Sequence, residues 1–385
     1  MLVNKWSGRR GSNPRPEPWQ GSALPTALRP QCRAKSIAPA LLRAKKQTLR
    51  DNLGLMSENP EPQFWMGGRH ASELIEVTND PSKLSDGDFW AVTANFDGQF
   101  TAAKFKSINT NLKFDYPWQP ITSTWKSSFD QVQYCDYVRE IQSQIADGNV
   151  YQVNACRILS ADCKQSLIGL ASKLISDNPA KFGGYLKLPG IEIASASPER
   201  FISRINQTIM TSPIKGTRAL GEIGEFSEKD KSENIMIVDL MRNDLGKICD
   251  ENTISVPRLL ANEIHPGLEH LVSDVIGDLK FGTDWPEIID ALLPPGSVSG
   301  APKSSALSII DKHEGEARGP YCGIFGWVQG GRAELAVAIR IFWKTGAEIN
   351  FGTGAGITWA SDPTAEWNET ELKARKLIAI AGGFN

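Results

Sequence analysis

The chain has 385 residues, 41% hydrophobic and 22% charged, the ordinary balance of a globular protein and not of a disordered or collagen-like one. No stretch approaches the roughly 18 apolar residues that a membrane-spanning helix needs. Its six scattered cysteines form no CxxC pair. An integral membrane protein, a zinc site and a disulfide framework are therefore disfavoured, and a reducing, cytoplasmic setting is expected. The net charge of −2 hides an asymmetry: residues 1–56 hold eleven Lys and Arg against Glu17 and Asp51, which leaves 31 of the 42 basic and 42 of the 44 acidic residues for the body. An acidic body argues against nucleic acid as a partner. The basic leader, 1–56, reads as a transit peptide, a disordered arm or sequence upstream of a true start at Met56. The functional unit is expected at 57–385, with a β-rich part over 57–125 and a core over 126–385.

Alternating apolar stretches between about 60 and 125 are broken by Asp-Gly at 86–87 and 97–98, each a hairpin signal. A helix fits 127–147, with Phe129, Val132, Val138, Ile141 and Ile145 on one stripe and Asp147-Gly148 at its end. Residues 149–215 read as a meander with strands near 150–158, 184–188, 191–196, 200–205 and 207–214. A second helix fits 228–245, with Ser227 as N-cap and Gly246 at its end. Pro302 opens a helix at 303–312. Strands near 323–329, 333–342 and 347–353 precede a closing helix from Pro363 to about Ile380, capped by Asp362. Strands arriving in hairpin runs predict an α+β fold with large antiparallel sheets packed with helices around a central cleft.

Chemistry concentrates in few places. The helix at 228–245 puts Asp230 and Glu233 on one face, and the closing helix does the same for Glu366, Glu369 and Lys373. These are solvated stripes, or buried acids that need a cation. The apolar run at 234–241 favours burial, and a hard divalent ion shared by carboxylates of two helices would supply the charge. The glycines of Phe351-Gly-Thr-Gly-Ala-Gly-Ile357 either expose amides to an anion or make a strand-end turn. Gly296-Ser-Val-Ser-Gly-Ala-Pro-Lys-Ser304 fails the P-loop register, because Ala301 and Pro302 stand where glycine and lysine are required. Lys215, beside Gly216 at a strand end, is a surface cation or, if desolvated, a nucleophilic amine. His270 is a lone histidine, structural or catalytic.

Eight strings together resemble the chorismate-using enzymes, a family that includes anthranilate, aminodeoxychorismate, isochorismate and salicylate synthases. They are Val150-Tyr-Gln-Val-Asn154, Ser197-Pro-Glu-Arg200, Pro213-Ile-Lys-Gly-Thr217, the run Ser232 to Asp244, Gly296 to Lys303, Ala338-Ile-Arg340, Gly352-Thr-Gly-Ala-Gly356 and Asn368 to Lys373. They follow the family's order over roughly 60–383.

The resemblance implies chorismate as substrate, Mg²⁺ as cofactor, with Glu233 and Glu369 as direct ligands and Asp230 and Glu366 acting through water. It implies Arg340 on the enolpyruvyl carboxylate, helped by Tyr321 and the amides of Gly354, Ala355 and Gly356, with Lys373 facing a carboxylate. Thr217 and Ser297 join the substrate-binding set, His270 lines the site, and Glu199 is the general acid for the C4 hydroxyl. Gln152 stands where water-adding members carry a basic lysine, which removes isochorismate and salicylate synthases. Lys215 stands where anthranilate synthases carry alanine and aminodeoxychorismate synthases carry lysine, which implies amination at C4 through a lysine adduct. Ammonia is expected from a separate glutamine amidotransferase. The alternatives are anthranilate synthase chemistry and a non-catalytic scaffold that binds the amidotransferase.

Overall fold

A computed structural model of the chain describes residues 60–383, apart from 111, 222–223 and 266–267; the side chains of 217, 219, 265 and 268 also stand outside the described set. The leader expected at 1–56 lies outside the described residues. Strands β1 (Gln63–Met66) and β2 (Arg69–Thr78) pair across Gly67-Gly68. The Asp-Gly at 86–87 does not turn a hairpin: a 3-10 turn, Pro81–Asp86, fills the connection, and Gly87 ends it at φ +90. The Asp86 carboxylate accepts from the backbone of Asp88, from Trp90 Nε1 and from Lys104 Nζ, which consumes the acid locally. Strands β3 (Phe89–Ala94) and β4 (Phe100–Asn109) do form the hairpin expected at 97–98, with Ala94 opposite Phe100.

Strand β5 (Lys126–Ser127) leads into helix α1 (Gln131–Ala146), where Asp130 and Gln133 cap each other's backbone N–H groups. Val132, expected on the inward stripe, is 68% exposed. The buried face is Tyr134, Cys135, Tyr137, Val138 and Ile141; two tyrosines carry much of it, which a purely aliphatic reading passes over. Strand β6 (Gln152–Asp162) is followed by helix α2 (Ile168–Asp177), which interrupts the expected meander. That helix has no side-chain cap and is buried along most of its length, so it shows little of the start signal or polar face that marks a surface helix. Strands β7 (Phe182–Leu188), β8 (Ile191–Ser197), β9 (Arg200–Ile205) and β10 (Thr208–Ser212) lie near their expected positions, whereas β11 (Ile214–Ala219) has no counterpart there and takes Lys215 into a strand instead of leaving it at a strand end.

Helix α3 (Glu228–Ile248) begins at Ser227, in a capping box with Asp230, but runs through Gly246 instead of ending there. Strands β12 (Ser255–His265) and β13 (Leu268–Asp278) have no counterpart in the sequence reading. Their polar residues are paired: Ser273 Oγ donates to Asn234 Oδ1 at 2.5 Å, and Arg258 Nε to Asp274 Oδ2 at 2.7 Å. Satisfied polar groups can face inward, and that blurs the alternation. Helix α4 (Trp285–Leu292) was also missed, although Asp284 and Glu287 form a capping box. Strand β14 (Gly300–Ala301) and helix α5 (Lys303–His313) follow, with Pro302 as the N-cap residue.

Strand β15 (Ile324–Gln329) pairs with β16 (Arg332–Val337), and β17 (Ile341–Thr345) is separate. The single strand expected over 333–342 thus breaks at 338–340, where Arg340 takes φ +53. Strand β18 (Glu348–Ile357) and helix α6 (Pro363–Ala381), capped by Asp362, complete the fold. The strand pairings are antiparallel, so the expected α+β class stands. The centre is the β6–β18 ladder, in register from Asp162 opposite Glu348 to Val153 opposite Ile357. Tyr134, Val138 and Ile141 of α1 and Ala306 and Ile309 of α5 pack with Ala355 and Ile357 at one end of it.

Two glycines test this packing in opposite directions. A Cβ at Gly169 would lie 2.0 Å from the Pro117 carbonyl oxygen, a backbone atom that cannot swing away. Gly169→Ala is expected to destabilise by about 1–3 kcal/mol. A Cβ at Gly246 would have Ile254 Cδ1 at 4.0 Å as its nearest neighbour, so Gly246→Ala inside α3 is expected to stabilise by about 0.5–1 kcal/mol. Urea midpoints at unchanged slope measure both.

Candidate active site

The floor of the site is the glycine run of β18. Alternation puts Gly352, Gly354 and Gly356 on one face. A Cβ would stand 2.1 Å from the Tyr321 ring at Gly352, 2.7 Å from Cys156 Sγ at Gly354, and 2.4 Å from Gln152 Nε2 at Gly356, with Lys215 Nζ at 3.8 Å. The missing side chains let a ring, a thiol, an amide and an amine close onto bare backbone. The run is thus not a strand-end turn, because it lies wholly inside the ladder.

The ladder also sorts the amides. Cys156 donates its backbone N–H to Glu314 Oε1 at 3.0 Å, and Asn154 donates to Ser299 O at 2.9 Å, so neither points at β18. Their partners Gly354 and Gly356 therefore turn their own backbone groups toward the other edge. There the Gly354 carbonyl accepts from Lys373 Nζ at 3.0 Å. Ala355, one residue out of phase, faces β6. Of the three amides expected to meet a carboxylate, two are aimed outward and that of Ala355 belongs to the ladder.

Above the floor sit an acid and an amine. Glu199, 5% exposed, follows β8 and accepts a hydrogen bond at Oε1 from Ser297 Oγ, 2.6 Å away in the 3-10 turn Gly296–Val298. Burial raises its pKa to about 7 against the pull of Ser297, Lys215 and Arg340. Lys215, on β11, is partly exposed as a residue, yet burial around its amine is the main influence on it and lowers its pKa. The charges of Glu233, Glu199, Lys373 and Glu369 act on that amine. Gln152 Nε2 is a buried donor with no hydrogen-bond partner among the described residues. Arg340 is held at the break between β16 and β17, where burial lowers its pKa and Glu199 counters this.

The acids on α3 and α6 converge. Glu233 and Glu366 have raised pKa values, chiefly from burial. Burial also works on Glu369, but Lys373 Nζ, 2.6 Å away, takes its pKa below the usual value. Lys229 Nζ stands 3.8 Å from both Glu233 and Glu366. Glu366 also accepts from Ser361 Oγ at 2.6 Å, and Asp230 accepts from Ser227 Oγ at 2.6 Å in the helix cap. Among the described residues no three His, Cys, Asp or Glu side chains gather as metal ligands. Glu233 and Glu369 nevertheless suit Mg²⁺, which typically takes one or two carboxylates and completes its shell with water and substrate oxygens.

His270 is buried on β13, opposite Thr217 of β11. The Thr217 side chain lies outside the described residues. The Tyr321 ring stacks on Trp343 at 6.5 Å, and Cys156 Sγ lies 4.0 Å from its hydroxyl. Sequence reasoning missed Lys229, whose signal was its i,i+4 spacing to Glu233. It also missed Ser361, and Glu314 with Arg318, whose signal was likewise an i,i+4 spacing.

The sequence profile described as chorismate binding enzyme matches residues 69–379. Aminodeoxychorismate synthase component 1 of Salmonella typhimurium is 34% identical over 67% of this chain and 59% of its own length. Anthranilate synthase component 1 1 of Haloarcula marismortui is also 34% identical, over 69% of this chain and 56% of its own. The chain thus spans somewhat more than half the length of these curated relatives. Among solved structures, anthranilate synthase component I of Streptococcus pneumoniae superposes with a TM-score of 0.71 at 20% identity, covering 84% of this chain and 94% of that one. A putative 2,3-dihydroxybenzoate-specific isochorismate synthase of Bacillus anthracis gives 0.70 at 21%, covering 86% and 98%. Both share the fold described above.

The Glu199 carboxyl binds its proton more tightly in the folded chain, at about 7 against the ordinary 4.5. The resulting handicap to folding is absent below the ordinary value, grows between the two and is complete above the higher one. Glu199→Gln is therefore expected to stabilise the protein near pH 8 by up to about 3 kcal/mol, at 1.36 kcal/mol per pH unit. The advantage should vanish toward pH 4, and denaturant titrations at the two pH values check it.

Proposed function

The chain belongs to the chorismate binding enzyme family, and from that premise we propose that it aminates chorismate at C4, as component I of an aminodeoxychorismate synthase. The observation that carries this reading is the Lys215 amine, set over the bare backbone of Gly356, where a Cβ would lie 3.8 Å from it, and kept less basic by burial while the charges of Glu233, Glu199 and Glu369 act on it. Relatives named for anthranilate and for aminodeoxychorismate synthesis match comparably well. Lys215 favours the second, because an amine already bonded to C2 blocks ammonia there.

In this reading neutral Lys215 attacks C2, the ring double bonds shift, and the C4 hydroxyl leaves as water on taking the Glu199 proton. A proton held by a carboxyl with a pKa near 7 is available for that transfer. Ammonia then adds at C4 and the lysine departs from C2, which restores the diene. The proton shed by the new ammonium returns to Glu199. The net change is hydroxyl for amine, with water released and the enolpyruvyl group kept. Arg340 and the outward amides of Gly354 and Gly356 bind carboxylate oxygens. Gln152 offers its unpartnered N–H groups to the substrate. Mg²⁺ held by Glu233 and Glu369 would supply a hard charge for the ring carboxylate, with Asp230 and Glu366 behind it. Ammonia would come from a glutamine amidotransferase, the partner that the component names of the relatives suggest. Five described cysteines stand as free thiols, in keeping with a cytoplasmic setting.

Protein given chorismate, Mg²⁺ and ammonium is expected to form 4-amino-4-deoxychorismate; anthranilate and pyruvate as main products would overturn the reading. Lys215→Ala should lose the adduct seen by mass spectrometry and release some anthranilate. Glu199→Gln should slow turnover roughly 10²–10⁴-fold. Glu233→Ala is expected to weaken Mg²⁺ and chorismate together in calorimetric titrations, whereas unchanged metal dependence would remove the clamp.

A further inference from the structure

A buried ion pair stands directly behind the cleft. Arg318, 3% exposed, donates to Glu314 through Nε at 2.7 Å and Nη2 at 2.6 Å. Its remaining reach ends on two carbonyls, Asn154 O at 2.6 Å and Val298 O at 3.1 Å. Glu314 in turn takes the Cys156 backbone N–H at 3.0 Å. Val298 follows Ser297, whose hydroxyl holds Glu199, and Asn154 lies two residues beyond Gln152. One guanidinium thus ties the Ser297 turn to the cleft end of β6, beside Asn154, which donates its backbone N–H to Ser299 O at 2.9 Å and its Nδ2 to Val298 O at 3.1 Å, and the β14 pairs Gly300–Val153 and Ala301–Gln152.

We propose that Arg318, clamped by Glu314, is a positioning residue that holds the turn Gly296–Val298 against β6 and so keeps the Ser297 hydroxyl on Glu199 Oε1. A buried ion pair by itself is weak evidence for stability, because desolvation offsets the attraction. This one is different in where its spare donors go: while paired to Glu314, the rigid fork of the guanidinium also reaches a carbonyl of the turn and one of β6, a geometry that a lysine amine does not reproduce. The ionic and hydrogen-bonding groups that act on Glu199 are Ser297, Lys215 and Arg340. Those that face the pair are Cys156, Cys322, Tyr321 and, through its hydroxyl on Glu314 at 3.3 Å, Tyr137.

The effect on turnover rests on the proposed role of Glu199, so the test reads the carboxyl itself. Protein labelled with carbon-13 at glutamate side-chain carboxyls is titrated by NMR, with Glu199 assigned from its loss in Glu199→Gln. The midpoint is expected near pH 7. It should rise in Ser297→Ala, since the donated hydrogen bond favours the ionised form. It should rise by at least half as much in Arg318→Met combined with Glu314→Gln, which buries no lone charge. Adding Ser297→Ala to that variant should bring it to the midpoint of Ser297→Ala alone and no higher, as for groups acting in series. Arg318→Lys gives a milder version if the paired variant does not fold. An unmoved midpoint in a folded Arg318 variant, or fully additive shifts, would overturn the proposal. The alkaline limb of kcat followed in the same variants separates the two readings. If the midpoint moves and the limb does not, the positioning role stands and Glu199 is not the general acid.

Discussion

The proposed chemistry depends on keeping water away from one amine, Lys215, and one carboxylic acid, Glu199, whose charges act on each other. In water the amine would be protonated and the acid ionised, and each would be useless for attack and for protonating a leaving group. Enclosure pushes both toward their neutral forms: the pKa of Lys215 falls and that of Glu199 rises to about 7, in each case mainly through burial. The opposing charges nearby act against these shifts. The chemistry therefore requires the enclosure to be tight, and the surrounding fold can be understood as the means of achieving it.

The β6–β18 ladder provides that enclosure economically. Its glycines remove side chains from one face, so that Tyr321, Cys156, Gln152 and Lys215 approach the backbone itself. The opposite face carries Ala355 and Ile357 into a core with α1 and α5, which keeps the strand from yielding. Because antiparallel pairing alternates the direction of backbone groups, the same ladder turns the polar groups of Gly354 and Gly356 away from β6, where the Gly354 carbonyl meets Lys373. A single strand serves as core, wall and binding edge.

The acids follow the same logic with the opposite sign. Glu233, Glu366 and Glu369 are brought together from two helices far apart in the chain, at a cost that Lys229 and Lys373 only partly relieve. Glu233 and Glu366 still have raised pKa values. Carboxylates left short of positive charge in a partly buried site are suited to a divalent cation brought with substrate. Asp230 is tied into the cap of α3, Glu366 to Ser361 and Glu369 to Lys373 at 2.6 Å, which leaves Glu233, 3.8 Å from Lys229, the least committed of the four.

Much of this was legible in the residues alone. Caps at Ser227 and Asp362, the hairpin at 97–98 and the antiparallel character of the sheets follow from short-range rules, because turns and helix ends are settled by a few adjacent side chains. The motif strings likewise placed Lys215, Glu199, Gln152 and the paired acids in one site, through resemblance to a family. What local pattern could not convey was burial against partners distant in sequence. Helix α2 lacks a cap and an evident polar face, the inward polar residues of β13 are satisfied from α3 and β12, and Val132 turns outward because two tyrosines take its place. The break at Arg340, the commitment of Ala355 to the ladder and the reach of Arg318 to two carbonyls depend on which strands lie side by side. Short-range sequence determined the elements and the reactive groups. Only tertiary packing decided which of those groups lost their water, and that loss is what sets their chemistry.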